Sequence, residues 1–325
     1  MALSAFIATI IPVFIDLKFG ACQPNTYIST GFGNNQYGTK TAYFWTYPKS
    51  EHVKNKLMKI TMDGRTCNAV HVNLVSRHGA RYTSVEDMRS FSALKQKLKH
   101  NFTNKTYNFI NNWVSRYPEE KETLISALGQ REMAYLGKHF GTELHDLLNG
   151  TVSTDGTPIS VQFAATRKTR TQESAKYFFR GLTDVLLGQN LRETCYKRQD
   201  SSYTKGMFQF GHSDTITDLA AGLGLFNDSD SLRADNYYAM QNRKCRASIL
   251  DPFSTHFAFI LYNCGGTGID NYALKLFFNG KPISIPKCNS EACWYKDVRL
   301  GYKQFIDGCD LDSICAVEHT PGVIG

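Results

Sequence analysis

One run of residues restricts the fold more than any other. In "NAVHVNLVSRHGARYTS", residues 68–84, apolar side chains occupy both faces of an extended segment: Val70, Val72 and Leu74 on one side, Val75 on the other. A strand that is apolar on both faces belongs at the centre of a covered sheet. It is followed at once by Arg77, His78, Gly79 and Arg81, so a buried strand delivers a charge cluster to the edge of a sheet.

The rest of the chain supplies partners for such a sheet. "PISVQFAATR", "GMFQFGH" and "FAFILYNC" read as further strands, and "YALKLFFNGKPISIP" as a hairpin turning at Asn279-Gly280. Met133, Leu136, Phe140, Leu144 and Leu147 recur at helical spacing, as do Ala175, Phe178, Leu182 and Leu186. Gly129 and Gly137 mark close packing or a turn. Residues 91–117 are polar and predict irregular surface helices and loops. Strands alternating with helices predict an α/β fold, a three-layer α/β/α sandwich with a mainly parallel sheet and an antiparallel edge.

In such sheets ligands bind beyond the carboxyl ends of strands. Three polar clusters fall there: Arg77 to Arg81, Thr166 to Arg170, and His212-Ser213-Asp214. Arginine forks match phosphate oxygens and stay charged. A histidine among them can act as a phosphoryl-accepting nucleophile, and an aspartate beside them can protonate a leaving alcohol. Taken one at a time, each cluster has a plainer alternative. Arg and His after a strand can cap a helix, Asp214 can N-cap the helix that follows, and Arg170 can be a solvated side chain. Their joint placement at three strand ends favours a common site.

Charge and cysteines narrow the class. The net charge is +8, which favours anionic partners. The basic residues are dispersed and form no nucleic-acid signature, so a phosphorylated small molecule is expected rather than nucleic acid. The apolar stretch from Met1 to Ile15 predicts a signal peptide over residues 1–21, with no stable membrane insertion after its removal. Nine cysteines, four of them closely spaced at 288, 293, 309 and 315, favour disulfides over zinc. Sequons at Asn101, Asn104, Asn149 and Asn227 fit export. The expected compartment is the secretory pathway, secreted or in the endolysosomal or ER lumen, with no KDEL-like signal.

"RHGARYTS" resembles the RHGxRxP signature of the histidine acid phosphatases, branch 2 of the histidine phosphatases. "TRKTRTQESAKYFFRGL" resembles the family's arginine-bearing segment, and "FQFGHSDTITDLAAGLGLF" resembles its second catalytic motif in the form found in the multiple inositol polyphosphate phosphatases. "GTKTAYF", "LGQREMAYLGKHF" and "ADNYYAMQNRKCRAS" are similar to that subfamily too. The resemblance implies the histidine phosphatase fold, a phosphohistidine mechanism and no metal or organic cofactor. It implies His78 as nucleophile, Asp214 as proton donor, Arg77, Arg81, Arg170 and His212 as the phosphate clamp, and Lys168 as a contact to further substrate phosphates. The implied activity is phosphoric monoester hydrolysis, on inositol hexakisphosphate and lower inositol phosphates and on 2,3-bisphosphoglycerate.

Three positions depart from that pattern. Thr83 stands for the signature's proline, Asp214 for the subfamily's glutamate, and Lys176 to Gly211 is far shorter than the corresponding family segment, which builds a helical cap. The domain reading is therefore residues 22–325 with a truncated cap, its remnants at about 91–150 and 188–206. The alternative expectation is a secreted anion-binding protein with little or no turnover because the cap is missing; a phosphoglycerate-mutase-like transferase fits less well.

Overall fold

Strand β2, Arg65–Arg77, is buried over its last seven residues and takes the place in the sheet that its two apolar faces predict. The computed structural model describes residues 37–98, 108–115, 117–153, 157–188 and 204–306. The predicted signal peptide, Cys22, Cys195, Cys309, Cys315, Asn101, Asn104 and nearly all of the segment expected as a cap stub at 188–206 lie outside them.

Around β2 the sheet is built from β1 (Lys59–Met62), β3 (Val161–Ala165), β4 (Gly206–Gly211), β5 (His256–Asn263), β6 (Tyr272–Phe278), β7 (Lys281–Ile283) and β8 (Ala292–Trp294), in the order β3-β4-β2-β5-β6-β7, with β1 on β2 and β8 on β6. The expectation of a mainly parallel sheet needs correction. Only β3, β4 and β2 pair in parallel; β5, β6, β7, β1 and β8 are all antiparallel to their neighbours. The physical reason is connection length. β5, β6 and β7 follow one another with nothing longer than a three-residue 3-10 turn, Ile269–Asn271, between them, and parallel neighbours need a crossover of a dozen residues or more. The β6–β7 link is the two-residue turn Asn279-Gly280, both with positive φ, as the hairpin reading requires.

Helices cover both faces. On one lie α2 (Ala127–Glu143) and α3 (Thr169–Leu186), and Met133, Leu136, Phe140, Phe178 and Leu182 pack with Val72, Leu74, Phe208 and Ile260. On the other lie α4 (Ser213–Gly222) and α5 (Tyr295–Gly301), and Ile216, Leu219 and Val298 pack with Val75, Phe257 and Leu276. Val70 joins this second face, not the first. A β-bulge between Ala69 and His71 makes it the extra residue, which reverses its side. Residues 127–148, counted above with the cap, are a wall of the core layer. Residues 85–98, read as irregular in their later part, form one 14-residue helix, α1 (Val85–Leu98).

Close contact between α2 and α3 depends on glycine. A Cβ at Gly137 would strike the Phe178 carbonyl oxygen, and one at Gly181 the Ala134 carbonyl. Disulfides join Cys67 to Cys264 and Cys288 to Cys293, and Cys245 is disulfide-bonded as well. The first ties β2 to the residue after its neighbour β5. Among the described residues no helix is long and apolar enough to cross a membrane.

Candidate active site

Because β2, β3 and β4 are parallel, they end at one edge of the sheet, and β5, antiparallel to β2, begins there. The Arg77–Arg81 turn, Thr166–Arg170, His212–Asp214 and residues 251–256 are thereby brought together. Nε2 of His212 lies 3.0 Å from the Thr166 hydroxyl, and the rings of His78 and His212 are 5.6 Å apart.

The turn is held from below. The Gly79 amide donates to Ser174 Oγ at 3.0 Å, and the Ala80 amide to Glu132 Oε2 at 2.9 Å. Glu132 also accepts from the Tyr43 amide and the Ser254 hydroxyl, both at 2.9 Å. Gly79 and Gly129 allow the turn to touch the first turn of α2; a Cβ on either would collide with backbone of the other segment.

His78 is 3% exposed. Its Nδ1 sits 2.9 Å from the Gly79 carbonyl oxygen. A carbonyl can only accept, so Nδ1 carries the proton and Nε2 keeps its lone pair. Burial first, and then the Arg77 charge, push the imidazole pKa down to about 2. The ring is neutral throughout the working range of a protein, which is the form a nucleophile needs.

Arg77 is buried. Its Nη1 donates to the Thr39 carbonyl at 2.7 Å and to the Asp251 carbonyl at 2.5 Å, and it faces Asp251 Oδ2 at 3.4 Å. The guanidinium stacks on Phe253 at 4.6 Å. Asp251 is also bonded by Ser213 Oγ; burial raises its carboxyl to about 6 against the pull of Arg77. Arg81 is half-buried, donates to the Tyr82 carbonyl at 2.8 Å, and lies within electrostatic reach of Arg170 and Arg77. Arg170, in the first turn of α3, extends Nη2 to 3.5 Å from Nδ1 of His212, so that nitrogen accepts and the His212 proton sits on Nε2, toward Thr166. Burial and then Arg170 lower the His212 pKa, with Asp214 opposing.

His212, not Asp214, is the N-cap of α4, closing a capping box with Thr215. Asp214 is exposed in the first turn, within electrostatic reach of Arg77 and His212. Lys168 is the exposed N-cap residue of α3, and its charge also reaches His212. All seven residues singled out in the sequence therefore gather at one edge. Three more belong with them: Lys40, whose pKa is lowered by burial and then by Arg81; Asp251; and Glu132. Lys40 sits in the quoted "GTKTAYF", where its charge was the available signal. The two buried carboxylates left none, because their partners, backbone amides and a hydroxyl for Glu132 and the Arg77 and Ser213 side chains for Asp251, come from distant segments.

The buried histidines make a testable cost. His78, His139 and His256, with pKa values of about 2, about 3 and about 4, stay neutral in the fold while an unfolded histidine protonates near its ordinary value. Their depressed values penalise the folded state below about pH 6.5, by about 2 kcal/mol each at pH 5. Asp251, raised to about 6, works the other way and returns about 1 kcal/mol there. Urea unfolding of the anion-free chain is expected to show a net loss of about 4 to 5 kcal/mol between pH 7.5 and pH 5; equal stability at both would contradict the burial of neutral imidazoles.

Residues 70–194 match the histidine phosphatase superfamily (branch 2). The chain is similar to multiple inositol polyphosphate phosphatase 1 of Gallus gallus, 29% identical over 117 residues, which are 36% of this chain and 26% of that one. The Homo sapiens protein of the same name is 27% identical over 111 residues, 34% of this chain and 23% of its own. The matched stretch thus spans about a quarter of the length of these relatives. Among solved structures, a phytase from D. castellii aligns with a TM-score of 0.60 at 14% identity, over 94% of this chain and 87% of that one. The Bifidobacterium longum multiple inositol polyphosphate phosphatase in complex with inositol hexasulfate aligns with a TM-score of 0.54 at 9% identity, over 77% of this chain and 92% of that one. The chain has the mixed α/β fold of these structures, and its residues 70–194 are similar to branch 2 of the histidine phosphatase superfamily.

Proposed function

We propose that the chain is a phosphoric monoester hydrolase acting on inositol polyphosphates through a phosphohistidine intermediate. The observation that carries this reading is His78: a buried, neutral imidazole with its proton on Nδ1, flanked by Arg77, Arg81 and Arg170. A phosphoryl group held by the three guanidiniums and His212 meets the Nε2 lone pair. The nitrogen–phosphorus bond forms as the ester oxygen–phosphorus bond breaks, and Asp214 gives its proton to the departing alkoxide. In the second half, water attacks phosphorus, Asp214 takes back a proton, and the phosphorus–nitrogen bond breaks to release phosphate.

Lys168 and Lys40 stand outside this clamp and suit further phosphates of a polyanionic substrate. Phytate, lower inositol phosphates and 2,3-bisphosphoglycerate share that chemistry. Export to an oxidising compartment is part of the proposal, supported by the disulfides of the described residues; Asn149 and Asn227, both exposed, are the candidate glycosylation positions among them.

Phosphate release from phytate and from p-nitrophenyl phosphate at mildly acid pH tests the activity. Asp214→Asn separates the acid from the nucleophile. It is expected to slow the first, single-turnover release of alcohol from phytate by about 10²- to 10³-fold while sparing the first-turnover burst of p-nitrophenol, whose release needs no proton; steady turnover falls on both, because Asp214 also serves the water step. Equal first-turnover losses on both substrates would remove Asp214 from the proton-donor role.

A further inference from the structure

A second cluster of chemically capable side chains lies well away from the phosphate clamp. His139 and Glu143 are one turn apart on α2, and His52 reaches them from the loop before β1. Nδ1 of His139 is 3.2 Å from Nδ1 of His52 and 3.5 Å from Oε1 of Glu143, and candidate ligand atoms of all three lie within 4.8 Å of one another. His139 and Glu143 are 9% and 2% exposed. Glu132, which supports the catalytic turn, is seven residues earlier on α2, about 10 Å along its axis.

We propose that His52, His139 and Glu143 form a binding site for a divalent ion of the zinc type, with three protein ligands and one open position. Two imidazoles and a carboxylate are a donor set suited to Zn²⁺. The spacing fits as well: a tetrahedron with metal–ligand bonds of about 2.0 to 2.2 Å has edges of about 3.3 to 3.6 Å, close to both measured separations. Two facing Nδ1 atoms have one other explanation, an N–H···N hydrogen bond, in which one ring must give up its lone pair. Metal binding uses both lone pairs. With Nδ1 on the ion the His139 proton sits on Nε2, which is buried without a hydrogen-bond partner, so the metal bonds must outweigh one unpaired donor.

Charges on every side bear on the affinity. Lys56 faces His139 and Glu143, and Lys138 faces His52; both oppose a cation. Lys138 is partly balanced by Asp184 at 3.6 Å, and the Glu143 carboxylate, raised by burial, is the group that a cation relieves most. The ion would pin the 50–57 loop to α2. That loop already bonds along the helix, from the Ser50 amide to the Tyr135 hydroxyl at 2.9 Å, from the Asn55 amide to the Thr142 carbonyl at 3.0 Å, and from the Leu57 amide to the Glu143 carbonyl at 3.0 Å. The role is structural and separate from phosphoryl transfer.

The test uses the full chain, stripped with a chelator and titrated with Zn²⁺ alone against a chromogenic competitor. Wild type is expected to take up one tight equivalent and to melt at higher temperature when loaded. His52→Ala, at a partly exposed position, and Glu143→Gln are expected to weaken uptake by about tenfold or more each while keeping the far-ultraviolet circular dichroism of the metal-free chain. X-ray absorption of the loaded wild type should show only nitrogen and oxygen neighbours. Absence of a tight equivalent, variants that bind like wild type, or a sulfur shell around the ion would each overturn the site.

Discussion

Replacing His78 with alanine is expected to cut phosphomonoester turnover by about 10⁴-fold or more. The size follows from what no neighbour can replace. Among the site residues His78 alone combines a free ring-nitrogen lone pair with a place among three guanidiniums; His212, the nearest imidazole, spends its Nδ1 on Arg170 and the start of α4. The substitution also removes the Nδ1–H bond to Gly79, so a folding defect must be separated from a chemical one. His78→Asn does this. Its side-chain amide can still donate toward the Gly79 carbonyl but offers no nucleophile. Both variants should be inactive, with Asn the better folded. An Asn variant retaining more than about a tenth of wild-type turnover would place the nucleophile elsewhere.

The second large effect concerns a residue that need never touch substrate. Glu132 is fully buried and gathers three donors from three parts of the chain: the Tyr43 amide, the Ala80 amide and the Ser254 hydroxyl. Burial raises its pKa, and the three bonds favour the ionised form in opposition. Glu132→Ala leaves two backbone amides and a hydroxyl buried without an acceptor, at about 1 to 3 kcal/mol each. Relaxation recovers part of this, so a loss of about 3 to 5 kcal/mol is expected. Because Ala80 lies between His78 and Arg81, catalysis should fall beyond the stability loss. Glu132→Gln keeps an acceptor but adds two donors where only donors point. It should cost less stability and still lower kcat, measured at a temperature where both variants are folded. A Glu132→Ala variant as stable as wild type would show that the turn holds itself.

Much of this arrangement was legible from residue pattern. The two apolar faces of β2 predict a covered central strand, and three charge clusters after three strands predict one site once those strands are parallel. The errors have physical causes. Val70 was placed on the wrong face because a bulge breaks the period of two, and a bulge leaves no mark in an apolar run. The sheet was expected to be mainly parallel because pairing direction depends on which strands are linked without a helix, and the β5–β6 connection, residues 264–271, does not declare itself as short and irregular until β6 is located. Glu132 and Asp251 were passed over because their role depends on burial against backbone donors and on Arg77, contacts between residues 52 to 174 positions apart.

In the proposed reaction His78 accepts the phosphoryl group on Nε2. The most direct measurement mixes the chain with ³²P-labelled phosphate ester, quenches within the first turnovers in alkaline denaturant, and maps the label. Label is expected on the denatured protein at His78, stable to base and lost in acid, and none in His78→Asn. Steady phosphate release with no label at His78 would contradict it, as would tight binding of phytate with neither label nor release, the behaviour of a protein that only binds anions.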